Sequence, residues 1–185
     1  MPGMTDTQLM AGVRTGELKN LARLFEHHHV ALFRYFVRLS RNRDVSEDLV
    51  QEVFLRILKY RQTFRDGGEF SVWMYHIARN VHLDNARKWN MESHVDDQEQ
   101  EPASDHSSPL GALEQAQEHR FLEEALSRLP VEKRELIILS RFQQLRYDAI
   151  ADILDCSVAA VKVRMHRAMN DLRTLYFQLS GEIPS

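Results

Sequence analysis

The amino-acid sequence predicts an all-α protein made of two small helical domains joined by a flexible acidic linker. Apolar residues recur at helical spacing over long stretches, and nowhere do they alternate long enough for a strand. Helix breakers are scarce, with 7 glycines and 5 prolines in 185 residues. One block without helical period, residues 91–109, is rich in Asp, Glu, Gln, Ser and Pro and divides two periodic blocks. The expected layout is a first domain over 6–90, a linker over 91–112 and a second domain over 113–179.

In the first block a helix is expected from Asp6 to Arg14, ended by Gly16, a favourable residue just past a helix. A second helix carries Leu18, Leu21, Leu24, Phe25, Leu32 and Phe33 at helical spacing. A third begins at Asp44, whose spacing to Glu47 fits a capping box. Its apolar stripe is Leu49, Val53, Phe54, Ile57 and Leu58. Asp66, Gly67 and Gly68 form a loop, and a fourth helix runs from Phe70 or Ser71 to about Trp89. Trp73 shares a side with Ile77 and Val81, which favours core packing. Asp84 and Lys88 have the i, i+4 spacing of a local ion pair.

The net charge of −3 is wrong for a nucleic-acid binder until its distribution is examined. Residues 91–118 hold eight acids and no Lys or Arg, while the remaining 24 basic and 19 acidic residues leave +5. Residues 56–90 carry +4 and residues 156–176 carry +3. No apolar run reaches the roughly 18 residues of a membrane span, and the first residues lack a signal-peptide core. A cytoplasmic protein without membrane insertion is expected. The single cysteine, Cys156, excludes an internal disulfide and a cysteine-based zinc site. His27, His28 and His29 would point about 100° apart on a helix and cannot all face one ion, so no metal site is expected.

In the second block Pro130 is placed at the first position of a helix, where its missing N–H costs nothing. Leu136, Ile137, Leu139 and Phe142 give that helix its core face. Residues 147–167 then fit a helix-turn-helix. Ala151 is small where two helices cross, and Ile150, Leu154, Cys156 and Val161 are apolar where the bihelical unit needs them. Asp155 stands at the turn position that favours a left-handed backbone, and Ser157 is placed to cap the second helix. On that helix Val158, Val161, Met165, Ala168 and Leu172 share the core side. Lys162, Val163, His166, Arg167 and Asn170 lie opposite, with Arg164 at the edge. Long donors suit guanine edges and phosphates, and Val163 suits a thymine methyl. An ordinary amphipathic helix with a solvated basic face has the same pattern.

Asp48 to Leu58, Phe64 to Asn80, and then Asp84, Arg87 and Lys88 together resemble conserved region two of the extracytoplasmic-function (ECF) sigma factors of the sigma-70 type. Leu126 to Leu172, with its run Ala-Val-Lys-Val-Arg-Met-His-Arg-Ala, resembles their region four. The resemblance implies a factor that binds core RNA polymerase and directs it to particular promoters. Asp48, Gln51, Glu52 and Arg56 would lie on the helix that docks on the clamp helices of the polymerase largest subunit. Region four would also meet the polymerase flap. Asn80 would lie near the pocket for a flipped base of the downstream promoter element, with Arg65, Arg79, Arg87 and Lys88 on backbone phosphates. Lys162, Val163, Arg164, His166 and Arg167 would meet the upstream element. An anti-sigma partner is implied, and an acidic linker that either threads toward the RNA exit path or simply tethers. Three positions make two departures from the family pattern: Ala159-Ala160 replaces Gly-Thr, and Val163 replaces Ser.

No phosphate loop, zinc-protease motif or nucleophile elbow occurs, so no catalytic residue and no cofactor are expected. Two rival classes remain at this point. A stand-alone helix-turn-helix regulator would bind duplex DNA without polymerase. A helical adaptor would bind proteins only and would not need the outward Lys162 and Arg167.

Overall fold

The computed structural model describes residues 4–92 and 112–181. All regular elements among the described residues are helical: α1 (Asp6–Thr15), α2 (Lys19–Ser40), α3 (Arg43–Lys59), a short 3-10 turn (Arg61–Thr63), α4 (Phe70–Glu92), α5 (Ala112–Arg128), α6 (Val131–Ile137), a π turn (Ile138–Phe142), α7 (Tyr147–Ile153) and α8 (Val158–Ser180).

Helices α1 to α4 form the first bundle. Thr5 and Gln8 make a reciprocal capping box at the start of α1, and Gly16 ends it at φ 104°. The periodic apolar residues of α2 and α3 become the core, with Leu24, Leu32, Phe36, Val53 and Ile57 buried. The start of α3 departs from expectation. Asn42, not Asp44, is the cap, its side chain accepting from the Val45 N–H at 3.0 Å. Arg41 closes α2 in a left-handed conformation (φ 59°), so the chain reverses at once and the next residue must cap. Asp44 is left inside the first turn of α3. Trp73 is packed against Phe64 and Phe70, with ring centroids 5.3 and 6.2 Å away. Asp84 binds Arg56 at 2.8 Å and Arg87 at 3.6 Å in place of the expected Lys88. Arg56 approaches from α3 and reaches Asp84 across the bundle, while Arg87 lies one turn along α4.

The histidine triplet takes a structural part. His27 Nδ1 and His28 Nε2 lie 2.8 and 2.6 Å from the two oxygens of Asp6, clasping α1 to α2. His29 instead donates to the Phe25 carbonyl at 2.9 Å and stacks on the Phe25 ring.

Helices α5 to α8 form the second bundle. Pro130 precedes α6 as its cap, one position earlier than expected. The path of α6 then widens into the π turn, where the Gln143 N–H reaches back to the Ile138 carbonyl at 3.0 Å. Ile138 and Leu139 remain buried, and Gln144 ends the turn at φ 55°. Most of the acidic linker lies outside the described residues, although Met91 and Glu92 continue α4.

The sequence separates two modules, and the structure brings them together. Tyr35 of α2 is fully buried and donates to Glu135 of α6 at 2.9 Å. Arg134 donates to the carbonyls of Ser127 (2.6 Å) and Leu129 (2.8 Å) in its own bundle. The same guanidinium reaches Leu39 O at 3.1 Å at the end of α2.

Burial pushes the Asp6 carboxyl upward, but hydrogen bonds from His27 and His28 outweigh it and hold the group below its ordinary value. A depressed carboxyl stabilises the fold above its unfolded pKa, and that contribution is lost as pH falls through the folded pKa. Asp6→Asn is therefore expected to lower Tm at pH about 7, with the gap to the parent closing as pH drops below about 4. Thermal melts across that range check this, and a gap independent of pH would refute it.

Candidate nucleic-acid interface

The C-terminal site is built on a short turn. After α7 the Cys156 N–H returns to the Ala151 carbonyl at 3.0 Å, and Asp155 adopts φ 50° as the sequence anticipates. Ser157 caps α8 by accepting from the Ala160 N–H at 3.1 Å. Ile150, Ala151 and Ile153 of α7 and Val161, Met165, Ala168 and Leu172 of α8 are buried, and α8 packs on α5, α6 and α7. Val158 is the exception on the core side, being 38% exposed at the first position of α8, where little chain covers it.

That packing leaves the opposite side of α8 open. Lys162, Val163, Arg164, His166 and Arg167 are all exposed. Val163 is 51% exposed, an apolar group on an otherwise polar face. Asn170 lies 3.3 Å from His166 Nδ1. With its amide donating there, the imidazole presents Nε2–H outward as a donor. Sequence inspection places Asn170 on this face, but not in this supporting role.

In the first bundle the predicted residues fall into two groups. Asp48 and Gln51 are exposed on α3, while Glu52 and Arg56 are half-buried and joined at 2.7 Å. Arg56 also holds Asp84, so it fastens α3 to α4. Burial opposes the charge on Arg56, but its hydrogen bond to Glu52 is the larger influence and raises its pKa, with Asp84 acting in the same direction. Leu55, 63% exposed, lies on the same helix surface and was missed. A wheel count could have found it, because it falls off the Leu49, Val53, Phe54 and Ile57 stripe.

Arg65, Asn80, Arg87 and Lys88 are exposed on the loop and on α4. Arg79 is placed differently: half-buried, with Nε 3.5 Å from the Glu135 carboxylate of the second bundle. Beside it His82 is buried, and burial lowers its pKa, reinforced by the charges of Arg134 and Arg79. Among the described residues no group of three His, Cys, Asp or Glu side chains could hold a metal ion. No described helix is long and apolar enough to cross a membrane.

A capped bihelical unit with an open basic face, mounted beside a second helical bundle, defines a helical DNA-binding protein. Comparison with known proteins narrows this class. The family models for Sigma-70 region 2 and Sigma-70 region 4 match residues 24–90 and 120–172. The ECF RNA polymerase sigma factor EcfG of Rhodopseudomonas palustris is 32% identical over 147 residues, covering 80% of each chain. The ECF RNA polymerase sigma factor SigE of Mycolicibacterium smegmatis is 32% identical over 169 residues, covering 86% of this chain, which spans 62% of that relative's length. Among solved structures, the sigma factor RpoE of Bartonella quintana, bound to the anti-sigma factor NepR, is 26% identical with a TM-score of 0.68, covering 85% of this chain and 96% of that one. CnrH, in complex with the cytosolic domain of CnrY, shares the fold at 23% identity and a TM-score of 0.69, covering 92% of this chain and 96% of that one. The chain belongs to the ECF sigma factors of the sigma-70 type, the non-enzymatic subunits that bind core RNA polymerase and direct it to promoters. This membership favours a sigma factor over a stand-alone regulator or a protein-only adaptor.

The left-handed turn sets the angle between α7 and α8, so its cost should be measurable. Asp155→Ala is expected to destabilise the fold by about 1 kcal/mol, because alanine adopts a left-handed backbone less readily than aspartate. Denaturant titration tests it, and an unchanged midpoint would show that the turn carries no such strain.

Proposed function

We propose that this chain reads two separated promoter elements while mounted on core polymerase: α8 reads the upstream duplex and α4 opens and holds the downstream element. The observation that carries the reading is the basic α8 face, left open while Val161, Met165, Ala168 and Leu172 on the opposite side pack into the core. Lys162, Arg164 and Arg167 supply cationic donors for guanine edges and phosphates, His166 a directed N–H, and Val163 an apolar contact for a thymine methyl. Asn80 offers both a donor and an acceptor for the edge of an extruded base. Arg65, Arg87 and Lys88 lie on exposed surface suited to phosphates, and Arg79 joins them only when parted from Glu135. The domain roles follow: 6–90 for polymerase docking and melting, 91–112 as linker, 113–179 for the upstream element. Asp48, Gln51 and Glu52, with Leu55 and Lys59 on the same side of α3, form the docking surface, and Arg56 flanks it while binding Glu52. The chain contributes recognition and melting, and the polymerase performs the chemistry. Its place of work is the cytoplasm, on the nucleoid when active, with an anti-sigma protein as its controlling partner.

Run-off transcription with core polymerase on a promoter library tests the reading. A sequence-specific transcript is expected, and neither transcript nor core binding would end it. Lys162→Ala with Arg167→Ala should abolish that transcript and lower the salt slope of DNA binding by about 1 for each phosphate contact removed. Stability should change by no more than about 0.5 kcal/mol, because both side chains are exposed. Retained promoter-specific transcription in that double variant would overturn the assignment of α8.

A further inference from the structure

We propose that Ala159 and Val163 form an apolar reading edge on the first two turns of α8, which selects two thymines of the upstream element by their methyl groups. The inference rests on the role given above to α8 and names the base class that its leading turns take.

The edge follows from where α8 begins. Ser157 caps the helix, accepting from the Ala160 N–H at 3.1 Å, so Val158 is its first residue. Successive residues turn by about 100°, which sets Ala159 and Val163 within about 40° of each other. Both point away from the buried line of Val161, Met165, Ala168 and Leu172. Both are exposed, Val163 by 51%. Lys162 and His166 flank this edge on one side and Arg164 and Arg167 on the other, and all four are exposed. Polar groups return to the middle of the face at Asn170, whose amide lies 3.3 Å from His166 Nδ1. The face is therefore divided along its length: alkyl groups lead and hydrogen-bonding groups follow.

An alkyl group favours one feature of the major groove. In a helix-turn-helix the N-terminal residues of the second helix meet the base edges. Guanine presents two acceptors there, cytosine an amino donor, adenine one of each, and thymine a carbonyl and a methyl group. A polar edge set against an alkyl group loses its water and gains no partner. The thymine methyl gains from the contact, because apolar surface leaves water on both sides. Side chains four residues apart on a helix are about 5–6 Å apart. Bases along one strand are about 3.4 Å apart. Ala159 and Val163 thus span about one to two base steps, enough to seat two thymines. The flanking cations then reach guanine edges and phosphates beside them.

Holoenzyme made from the full chain and core polymerase provides the test. A promoter library randomised over the upstream element should return a pair of thymines about one or two steps apart. Replacing either thymine by deoxyuridine removes only the methyl and should weaken holoenzyme binding about fourfold, the effect of one buried group of that size. Val163→Ser should erase the penalty at one thymine, and Ala159→Gly at the other. The penalty is a ratio measured within one protein, so a loss of stability does not mimic its disappearance. Cytosine at either position should bind more weakly than thymine, and 5-methylcytosine should recover about fourfold of that loss. A selected element without thymines, or thymines that bind equally well without their methyls, would overturn the inference and leave the promoter reading intact. A deoxyuridine penalty that persists in both variants would overturn the assignment to Ala159 and Val163. A library that yields no specific transcript would sink the inference and the promoter reading together.

Discussion

The adjacent residues Arg134 and Glu135 organise this molecule. They carry opposite charges, both are buried, and neither neutralises the other. Arg134 directs its two Nη groups to four backbone carbonyls: Ser127 and Leu129 at the α5–α6 turn, and Arg38 and Leu39 at the end of α2. Glu135 spends its oxygens on Tyr35 and Arg79. Burial lowers the Arg134 pKa, with the nearby Arg41 charge acting in the same direction. Burial likewise raises that of Glu135, against the opposing pull of Arg79 and Tyr35. Buried charge is tolerated only where hydrogen bonds replace hydration, and both bundles are needed to supply them. The relative placement of the two domains therefore depends on this pair.

Much of the architecture was legible because local chemistry decided it. The apolar stripes of α2, α3 and α8 are periodic enough to name the core, and Gly16, Asp155 and Ser157 mark their turns and caps by residue type alone. What could not be read depends on partners distant in sequence. Arg134 and Glu135 look like the solvated half of an amphipathic helix, yet α6 is buried at four consecutive positions because the first bundle covers its outer side. Arg79 carries a phosphate-binding signal in the sequence, and only the fold reveals the carboxylate set against it. Asp84 had two plausible partners at helical spacing and took one of them, Arg87, together with Arg56 from another helix. Caps were misplaced by one or two residues at α3 and α6, where a tight reversal, not the strongest capping residue, sets the boundary.

The candidate site was legible in the same uneven way. The α8 face survives intact because helix periodicity is enough to separate its two sides. On α3 the residue types were visible but their duties were not: Arg56 ties two helices together, and Leu55 contributes apolar surface beside polar neighbours. The histidine triplet has a comparable lesson. Two of its rings converge on Asp6, so a pattern that invites metal chemistry instead closes a helix pair.

The π turn at Ile138–Phe142 acts as a phase shifter. Its additional residue per turn rotates everything downstream relative to an unbroken helix, and that rotation delivers Phe142 to Arg38 and Gln143 to Tyr75. Loss of a single residue there would let α6 continue in regular register, with each bundle still able to pack within itself. The reading head would then emerge turned by about a quarter of a revolution from its present bearing. Segment length at this joint therefore sets the bearing of α7 and α8, within the placement that Arg134 and Glu135 hold.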